Sequence, residues 1–296
     1  MTLYRIHIRP KGGKANVKKS FDYCLEKNVL GMGWPIELSS LEWTEYESLA
    51  TEKYGKGKFN SVKYLKRNIK ENDLLWTRDT KGNYYLAKTL SEWEYLPNQE
   101  ALDADIINVV RCNLIEVPSV DDVPGKVIAS FRPARTIQAI RDATTADYSK
   151  YLWNKISNTK FFSFPEKQFD NVFSFLDSEE TEDIVFIYLQ INGWVVVPNS
   201  RKVDTMNYEF YLINKKTKEK AIVQVKTGHT RLSPKEWVTK KEKVFLFQSN
   251  NKYNEEAPST NIVCLSPIQI KEFMYSNREL LPSNINHWLD VADKKI

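Results

Sequence analysis

The chain has 296 residues, of which 42% are hydrophobic and 27% are charged, a composition typical of globular proteins and a length that favours two domains. Its formal net charge of +5 permits a polyanionic partner without requiring one. The three cysteines and three histidines are dispersed, which argues against a disulfide framework, a zinc knuckle, an HNH-type nuclease and a Ser-His-Asp triad. Any hydrolytic chemistry is therefore expected to use carboxylates and a metal ion.

The beginning of the sequence carries charge within its first five residues and lacks the apolar stretch of a secretory signal. The longest apolar runs, such as "IVFIYL" (residues 184–189), are too short to span a bilayer. We therefore expect a cytoplasmic protein with no membrane association.

Short apolar strands alternate with charged amphipathic helices over residues 1–118. The stretch "TKGN" predicts a hairpin turn built around Lys81, Gly82 and Asn83. In chain order the patterns predict a strand over 3–10, a helix over 16–28, a strand over 29–36, helices over 41–55 and 61–70, the hairpin over 73–96, and one strand or a pair over 105–117.

Prolines and aspartates interrupt the pattern at residues 117–126 and mark a junction. A helix is predicted next, over residues 131–156. After residue 165 the order becomes helix, strand, hairpin, two strands and helix, which indicates an α/β arrangement around a short sheet. The predicted elements are a helix over 178–193 capped by Ser178 or Thr181, a strand over 194–198, a hairpin over 207–228, strands over 242–250 and 261–266, and a helix over 267–276.

The apolar run "AIVQVKTG" (residues 221–228) suits a buried strand, yet it contains Gln224 and Lys226. Side chains alternate along a strand, so these two share a face, where burial is costly without partners. The first strand of the same hairpin supplies Glu209, and Asp204 lies just upstream. A hairpin that brings a carboxylate to within about 5 Å of an amine is suited to metal-dependent phosphodiester hydrolysis.

Three stretches carry a resemblance to a known family: "TEDIVFIYLQINGW", "MNYEFYLI" and "IVQVK". Their order resembles the Mrr-type branch of the PD-(D/E)XK restriction endonucleases and covers residues 165–296. The resemblance implies that Glu182 is the helix acid and that Gln224 stands where many relatives have glutamate. Lys226 would position or activate the water and stabilise charge on the phosphate.

The resemblance also implies a Mg²⁺ ion held by a central acid together with the Val225 carbonyl. The family usually has aspartate as this acid, at the start of the strand. Glu209 fits the strand alignment and the hairpin length better, whereas Asp204 fits the residue type better, so both are candidates and Glu209 is favoured.

Basic residues follow the lysine strand directly, and they would line a DNA groove by neutralising phosphates. A solvated helix face explains the same residues nearly as well. The candidates are Arg231, Lys235, Lys240 and Lys241.

The first half of the chain contains "GMGW" and "NDLLWTRD", which resemble PUA-like domains of the EVE type found at the front of modification-dependent restriction proteins. The resemblance implies that a flipped base is held between aromatic faces and read along its edge. The candidates are Trp34, Trp76 and Trp93, with Arg78 and Asp79 as polar neighbours. A competing interpretation places the tryptophans in the core of a small barrel.

Together these features predict an α/β (α+β) protein with a PUA-like/EVE-type β-barrel domain over 1–118, a helical linker over 119–164, and a restriction-endonuclease-like domain with a central mixed sheet over 165–296. The predicted function is that of a Mg²⁺-dependent DNA endonuclease of restriction or phage-defence type. Its partners would be double-stranded DNA, with modified DNA among the candidates, and a second copy of the chain, because double-strand cleavage needs two active sites. Two alternatives stay open: a catalytically silent nuclease fold that binds DNA, and a nuclease switched on by a small nucleotide bound to the first domain.

Overall fold

The computed structural model describes residues 1–13, 16–38, 42–163, 171–197 and 208–293. The chain divides into two compact units, Met1–Pro165 and Glu166–Ile296. Among the helices that the structure describes, none combines the length and the apolar character needed to cross a bilayer.

The first unit contains a strongly curled mixed sheet, a half-barrel, and its helices. The strands are β1 (Leu3–Ile6), β2 (Val29–Met32), β3 (Leu74–Arg78), β4 (Tyr84–Thr89), β5 (Glu94–Tyr95), β6 (Asn108–Glu116) and β7 (Ile137–Ala139). The helices are α1 (Val17–Lys27), α2 (Trp43–Tyr54), α3 (Asn60–Asn68), α4 (Gln99–Ala104), α5 (Gly125–Ser130) and α6 (Ala143–Ser157).

Six of these strands follow the spatial order β2-β6-β4-β3-β1-β7, and β5 pairs with β6. The β1–β3 pair is parallel, and the other pairs are antiparallel. Apolar side chains of the sheet and of α1, α2 and α3 share one buried cluster, whose members include Phe21, Leu30, Tyr46, Leu65 and Val109. The predicted hairpin over 73–96 is present as β3 and β4, with Gly82 at φ +92° in its turn.

The stretch 131–156, predicted as one helix, forms β7 and then α6. Pro133 opposes a helix in the first part of this stretch, and the edge of β1 offers unpaired backbone groups that β7 satisfies. Arg5 supports this strand from inside the unit, because its buried guanidinium donates to the carbonyl oxygens of Ser130 and Arg135. Local helical propensity is overridden here by sheet pairing.

The second unit has a five-stranded mixed sheet with helices. Its elements are α7 (Ser178–Ile191), β8 (Trp194–Val196), β9 (Phe210–Asn214), β10 (Lys220–Lys226), β11 (Lys243–Gln248), β12 (Ile262–Leu265), α8 (Pro267–Ser276) and α9 (Ser283–Asp293). The spatial order is β12-β11-β10-β9-β8. The β8–β9 and β9–β10 pairs are antiparallel, while β10–β11 and β11–β12 are parallel.

The N-cap of helix α7 lies one residue before the earlier of the two predicted caps. Asp177, rather than Ser178 or Thr181, caps the helix in a reciprocal arrangement with Glu180, each side chain accepting a backbone N–H of the other. Gly193 follows the helix at φ +88°, as expected for a glycine that ends one. This turn leads directly into β8, so the helix packs back against the sheet.

The two faces of the second sheet are covered differently. On one face the Phe186 ring of α7 stacks on Phe210 of β9, with centroids 5.3 Å apart. On the other face Ile222 of β10 packs in a cluster with Leu232 and Trp237, which belong to the connection between β10 and β11. This connection therefore forms a wall beside the β9–β10 hairpin.

Candidate active site at the β9–β10 hairpin

The pairing of β9 with β10 brings three predicted catalytic side chains together. The pairing register ends at Phe210 and Val223, and Glu209, one residue before β9, donates its amide to the same Val223 carbonyl over 2.7 Å, which holds Glu209 next to the end of β10. The Gln224 Nε2 atom donates to Glu209 Oε1 over 2.5 Å. Lys226 Nζ donates to the same oxygen over 3.2 Å. One carboxylate oxygen thus satisfies both polar groups of the apolar strand.

The exposed fraction differs sharply among Glu209, Gln224 and Lys226, which we call the trio. Gln224 is only 5% exposed, whereas the side chains of Lys226 and Glu209 are 39% and 28% exposed. The amide is buried beneath the pair and the ammonium group reaches solvent. Both donors use Oε1, and Oε2 of Glu209 receives no hydrogen bond from the part of the chain that the structure describes. That oxygen is available to a water or a cation.

The trio opens into a cavity of about 480 Å³. The connection after β10 supplies the opposite wall. The lining residues are Glu209, Gln224, Lys226, Arg231, Leu232, Ser233, Glu236, Trp237, Lys240 and Asn254. The site is therefore a concave, mostly polar pocket in which cations outnumber carboxylates.

The Val225 carbonyl points to the edge of β10 that faces β9, where Glu209 also lies. Carbonyls two residues apart on a strand point the same way, and the Val223 carbonyl faces β9, where it accepts the Glu209 amide. The Val225 carbonyl oxygen consequently points toward the beginning of β9, and it accepts a hydrogen bond of 3.3 Å from Gln224 Nε2. A carbonyl and a carboxylate beside each other are hard oxygen ligands of the kind that Mg²⁺ prefers.

A buried glutamine holds the loop that follows Lys226. Gln248 lies beside Lys226 in the parallel β10–β11 register. Its Nε2 donates to the carbonyls of Gly228 and Thr230 over 3.0 and 2.9 Å, and its Oε1 accepts the amides of Asn250 and Lys252. This network fixes the direction in which the chain leaves the lysine strand.

Glu182, the predicted helix acid, is not among the residues that line this pocket. Glu182 lies on α7, which packs on the Phe210 face of the sheet, while Glu209, the neighbour of Phe210, points to the other face. Glu182 is absent from the described lining of the cavity. Asp204 lies outside the described residues. Within the described ranges, no group of three or more His, Cys, Asp and Glu side chains is arranged to hold a metal ion.

Two of the four predicted DNA-backbone residues, Arg231 and Lys240, line the cavity. Lys235 and Lys241 are exposed and are not among its lining residues. Glu236 was missed by sequence reasoning although it lines the pocket, because a single glutamate after a proline carries no motif. It comes into place because Pro234–Trp237 forms a 3₁₀ turn whose Trp237 ring is anchored in the core.

In the first unit, two of the three predicted base-stacking tryptophans are core residues. Trp76 is 0% exposed, and its Nε1 donates to Ser149 Oγ over 3.0 Å. Trp93 is 8% exposed, and its Nε1 donates to Asn108 Oδ1 over 3.0 Å. Neither indole presents a face to solvent, so the predicted stacking role does not fit these two side chains.

Arg78 and Asp79 also have structural surroundings. The Arg78 guanidinium lies over the Phe131 ring, 4.9 Å from its centroid. Asp79 accepts the backbone amides of Lys81 and Asn83 and the side-chain amide of Asn83, so it closes the β3–β4 turn. Neither residue lines a cavity with Trp34.

Trp34 does line a cavity, of about 450 Å³. It is half-buried, has a φ of +70°, and meets the Tyr54 ring edge-on at 5.0 Å. The same cavity is lined by Asp105, Arg9 and Lys11, none of which sequence reasoning singled out. Asp105 stands at the start of a predicted apolar strand, where a buried carboxylate is unusual. This charged residue beside an apolar run was the sequence signal that could have identified it.

Comparison of the chain with models of known protein families, with curated proteins and with solved structures found no match. The function is therefore argued from the geometry of the two cavities.

Proposed function

We propose that the chain is a metal-dependent DNA endonuclease of restriction or phage-defence type, in which the second unit hydrolyses phosphodiester bonds and the first recognises DNA, including modified DNA. The observation that carries the proposal is the convergence of Gln224 and Lys226 on one oxygen of Glu209 inside an open, cationic cavity. The order of elements, a helix followed by an antiparallel hairpin and two further parallel strands, suits a restriction-endonuclease-like fold. The curled sheet of the first unit suits a PUA-like, EVE-type domain.

Glu209 and the Val225 carbonyl fit a Mg²⁺ ion. Magnesium keeps several waters and is usually bound through one or two carboxylates together with substrate phosphates. The open Oε2 of Glu209, with the adjacent carbonyl, meets the lower limit of that requirement within the described residues. A bound Mg²⁺ would supply Lewis acidity at the phosphate and would lower the pKa of a bound water.

Gln224 orients the carboxylate. Its donated hydrogen bond occupies Oε1 and thereby directs Oε2 away from the buried strand. Because the glutamine is neutral, it performs this task without adding a second negative charge beside Glu209. A glutamate at the same position would repel Glu209 at hydrogen-bond distance.

Lys226 provides positive charge at the mouth of the cavity. Its ammonium group bonds to Glu209 and is also partly exposed to solvent. A lysine in this position stabilises charge that develops on a phosphate and orients the attacking water through its remaining N–H groups. Arg231 and Lys240, which line the same cavity, would bind the flanking phosphates.

A second carboxylate for the metal has two candidates. Asp204 lies upstream of β9 and outside the described residues. Glu236 lines the same cavity as Glu209 from the opposite wall. The substitutions Asp204→Asn and Glu236→Gln distinguish the two candidates. Only the substitution that removes the true ligand should raise the Mg²⁺ concentration needed for half-maximal cleavage.

The test is cleavage of supercoiled plasmid and of phage DNAs with and without modified cytosine, in Mg²⁺ and in EDTA. We expect wild type to cut DNA in Mg²⁺ but not in EDTA. The cleavage rates of Lys226→Ala and Glu209→Gln should each be at least about 100-fold lower than that of wild type. Matched controls are Lys220→Ala, at the other end of β10, and Glu219→Gln, in the hairpin turn, which should retain full activity. Cutting that survives EDTA or that is unchanged in both site variants would contradict the proposal.

A catalytically silent DNA-binding module is the second candidate function. It is favoured by one observation: the described residues contain no cluster of three potential metal ligands. It predicts that folded wild type binds DNA and never nicks it at any Mg²⁺ or Mn²⁺ concentration. Cleavage that begins only after a small nucleotide is added would instead favour the ligand-switched nuclease.

A further inference from the structure

The cavity beside Trp34 has the dimensions and the walls of a ligand site. Its volume of about 450 Å³ lies within the range of about 300–1,000 Å³ typical of small-molecule sites. Aromatic side chains, Trp34 and Tyr54, form part of the lining, and Asp105 supplies a carboxylate. An apolar face together with one polar group is the combination that orients a planar polar ligand.

Asp105 is held in place by the backbone around it. The residue is 5% exposed and adopts φ +54°, and its Oδ2 accepts the backbone amide of Lys11. A Cβ atom at Gly33 would overlap the Asp105 carboxyl group, so only glycine permits this approach. The glycine before the tryptophan in "GMGW" thus leaves room for the carboxyl group of Asp105, which lines the same cavity as Trp34.

The carboxyl group of Asp105 has capacity for a further donor. Burial raises its pKa, and the Lys11 backbone amide and the Lys11 charge oppose that rise. Its Oδ1 atom accepts no hydrogen bond from the described part of the chain. Because Asp105 lines the cavity, this oxygen can accept a hydrogen bond from a water or from a ligand N–H.

Trp34 is fixed before any ligand arrives. The Tyr46 hydroxyl donates to the Trp34 carbonyl over 3.0 Å, and Asn108 Nδ2 donates to the Gly33 carbonyl over 2.6 Å. The Tyr54 hydroxyl donates to the Pro35 carbonyl. These bonds hold the tryptophan in its left-handed backbone conformation, which a non-glycine residue adopts only where its surroundings impose it.

The cavity continues into a cationic groove. A second cavity, of about 610 Å³, shares Ser61 and Thr136 with the first. Four cations line the two cavities against the single carboxylate of Asp105: Arg9, Lys11, Arg135 and Arg141. None of the four forms a salt bridge with a carboxylate of the described residues. An unneutralised groove that leads to an aromatic pocket matches a phosphate-linked base.

We propose that the first unit binds a nucleobase with an exocyclic amino group in the Trp34 cavity, with Asp105 accepting from that amino group and the cationic groove holding the attached phosphates. This proposal assigns a site and a class of base to the recognition step of the proposed function. It rests on that function only for the assumption that the base belongs to DNA. A base with a carbonyl in place of the amino group would place its oxygen, an acceptor, against the Asp105 carboxylate, a second acceptor. We expect it to bind at least about tenfold more weakly.

The test is fluorescence anisotropy with the full-length protein in EDTA, so that binding is measured without cleavage. The probes are labelled duplexes with one cytosine or one uracil opposite an abasic site, which differ only in the amino or carbonyl group at C4. A second pair replaces them with adenine and hypoxanthine. Wild type should prefer the amino base of at least one pair by tenfold or more.

Asp105→Asn should abolish this preference, since an amide donates as well as accepts, and Trp34→Ala should weaken binding of the preferred duplex at least about tenfold. Asp103→Asn is the matched control: it lies two residues away in α4, and its side chain is 50% exposed. Asparagine tolerates the left-handed conformation of residue 105, so Asp105→Asn should fold. Circular dichroism of each variant establishes this.

Isothermal titration calorimetry with dCMP against dUMP and with dAMP against dIMP identifies the source: a preference among these free nucleotides without one among the duplexes would assign the pocket to a free nucleotide. Equal affinity for both members of every pair, as duplexes and as free nucleotides, would overturn the proposal, and so would a preference that survives Asp105→Asn. Because no step requires cleavage, an inactive second unit would leave this result intact. The nuclease proposal and the pocket proposal therefore fail separately.

Discussion

Replacing Lys226 with alanine should separate stability from activity. The lysine forms its ion pair with Glu209 at 3.2 Å, and the two side chains are 39% and 28% exposed. Partly exposed pairs of this kind contribute about 0.2–1 kcal/mol to stability. Glu209 also keeps its hydrogen bond from Gln224 after the substitution. The free energy of unfolding of Lys226→Ala should therefore fall by less than about 1 kcal/mol.

Gln224→Ala offers the contrasting outcome. The amide is 5% exposed, and its loss leaves Glu209 Oε1 with Lys226 as its donor but removes the hydrogen bond that Gln224 donates to the buried Val225 carbonyl. An unsatisfied buried polar group costs about 1–3 kcal/mol. The glutamine variant should therefore be clearly less stable than the lysine variant, even though both residues bond to the same oxygen.

Urea-induced unfolding followed by circular dichroism measures both effects, with Lys220→Ala as the control for loss of a lysine from β10. The plasmid assay supplies the activity, in which Lys226→Ala should lose at least about 100-fold. A loss of more than about 2 kcal/mol in Lys226→Ala would refute the reasoning, because it would make the lysine a structural residue. Full activity in that variant would refute the catalytic role.

Three further predictions concern the first unit. Trp76→Phe removes the buried indole bond to Ser149 and should cost about 1–3 kcal/mol in urea unfolding while leaving DNA affinity unchanged; a loss of affinity with full stability would restore Trp76 as a base-stacking residue. Gly33→Ala should lower the melting temperature and DNA affinity together, because its methyl group would displace the Asp105 carboxyl group; a variant with wild-type melting temperature and affinity would contradict the packing described. Burial and nearby arginines lower the pKa of His7 from 6.5 to about 4, so the neutral form is favoured on folding, and the stability it contributes is present above pH 6.5 and lost as pH falls toward 4. His7→Gln should flatten this part of the curve of melting temperature against pH, and identical curves for variant and wild type would show that His7 is not responsible.

Local signals predicted most of the secondary structure. Asn16 stands at the start of the predicted helix over 16–28 and caps α1, as expected of a short polar side chain that accepts an orphan amide. Asp142 and Asp177 cap α6 and α7 in the same way, although neither was predicted as a cap. The hairpin turn at Gly82 follows from backbone conformations that glycine adopts readily. Residues 137–139 could not be predicted in the same way, since their strand exists only because β1 offers an edge.

The hairpin site was the most predictable part of the function. Alternation alone puts Gln224 and Lys226 on one face, and the hairpin brings Glu209, one residue before β9, within hydrogen-bond distance of both. In the structure Glu209 accepts hydrogen bonds from both residues, while Asp204 stays a candidate outside the described residues. Glu236 could not be foreseen, because its place in the wall depends on how the connection between β10 and β11 packs on the sheet.

The tryptophans show where sequence reasoning ends. Trp34, Trp76 and Trp93 are alike as residue types, and composition does not reveal which of them lies in a core. Only Trp34, of these three, lines the described cavity. The carboxylate beside it comes from Asp105, some seventy residues later in the chain, and no local pattern connects the two.

The sequence by itself determined most of the longer helices and strands and the β9–β10 hairpin, because these follow from short-range periodicity and turns, whereas α4, α5, β7 and α9 were not predicted. Tertiary structure decided which side chains line the same cavity: Glu236 and Glu209 in one, and Asp105 and Trp34 in the other. Both pairs depend on long-range packing, which brings together segments that are distant in the sequence. The absence of a Cβ atom at Gly33 is such a condition, and its significance becomes visible only once Asp105 is in place.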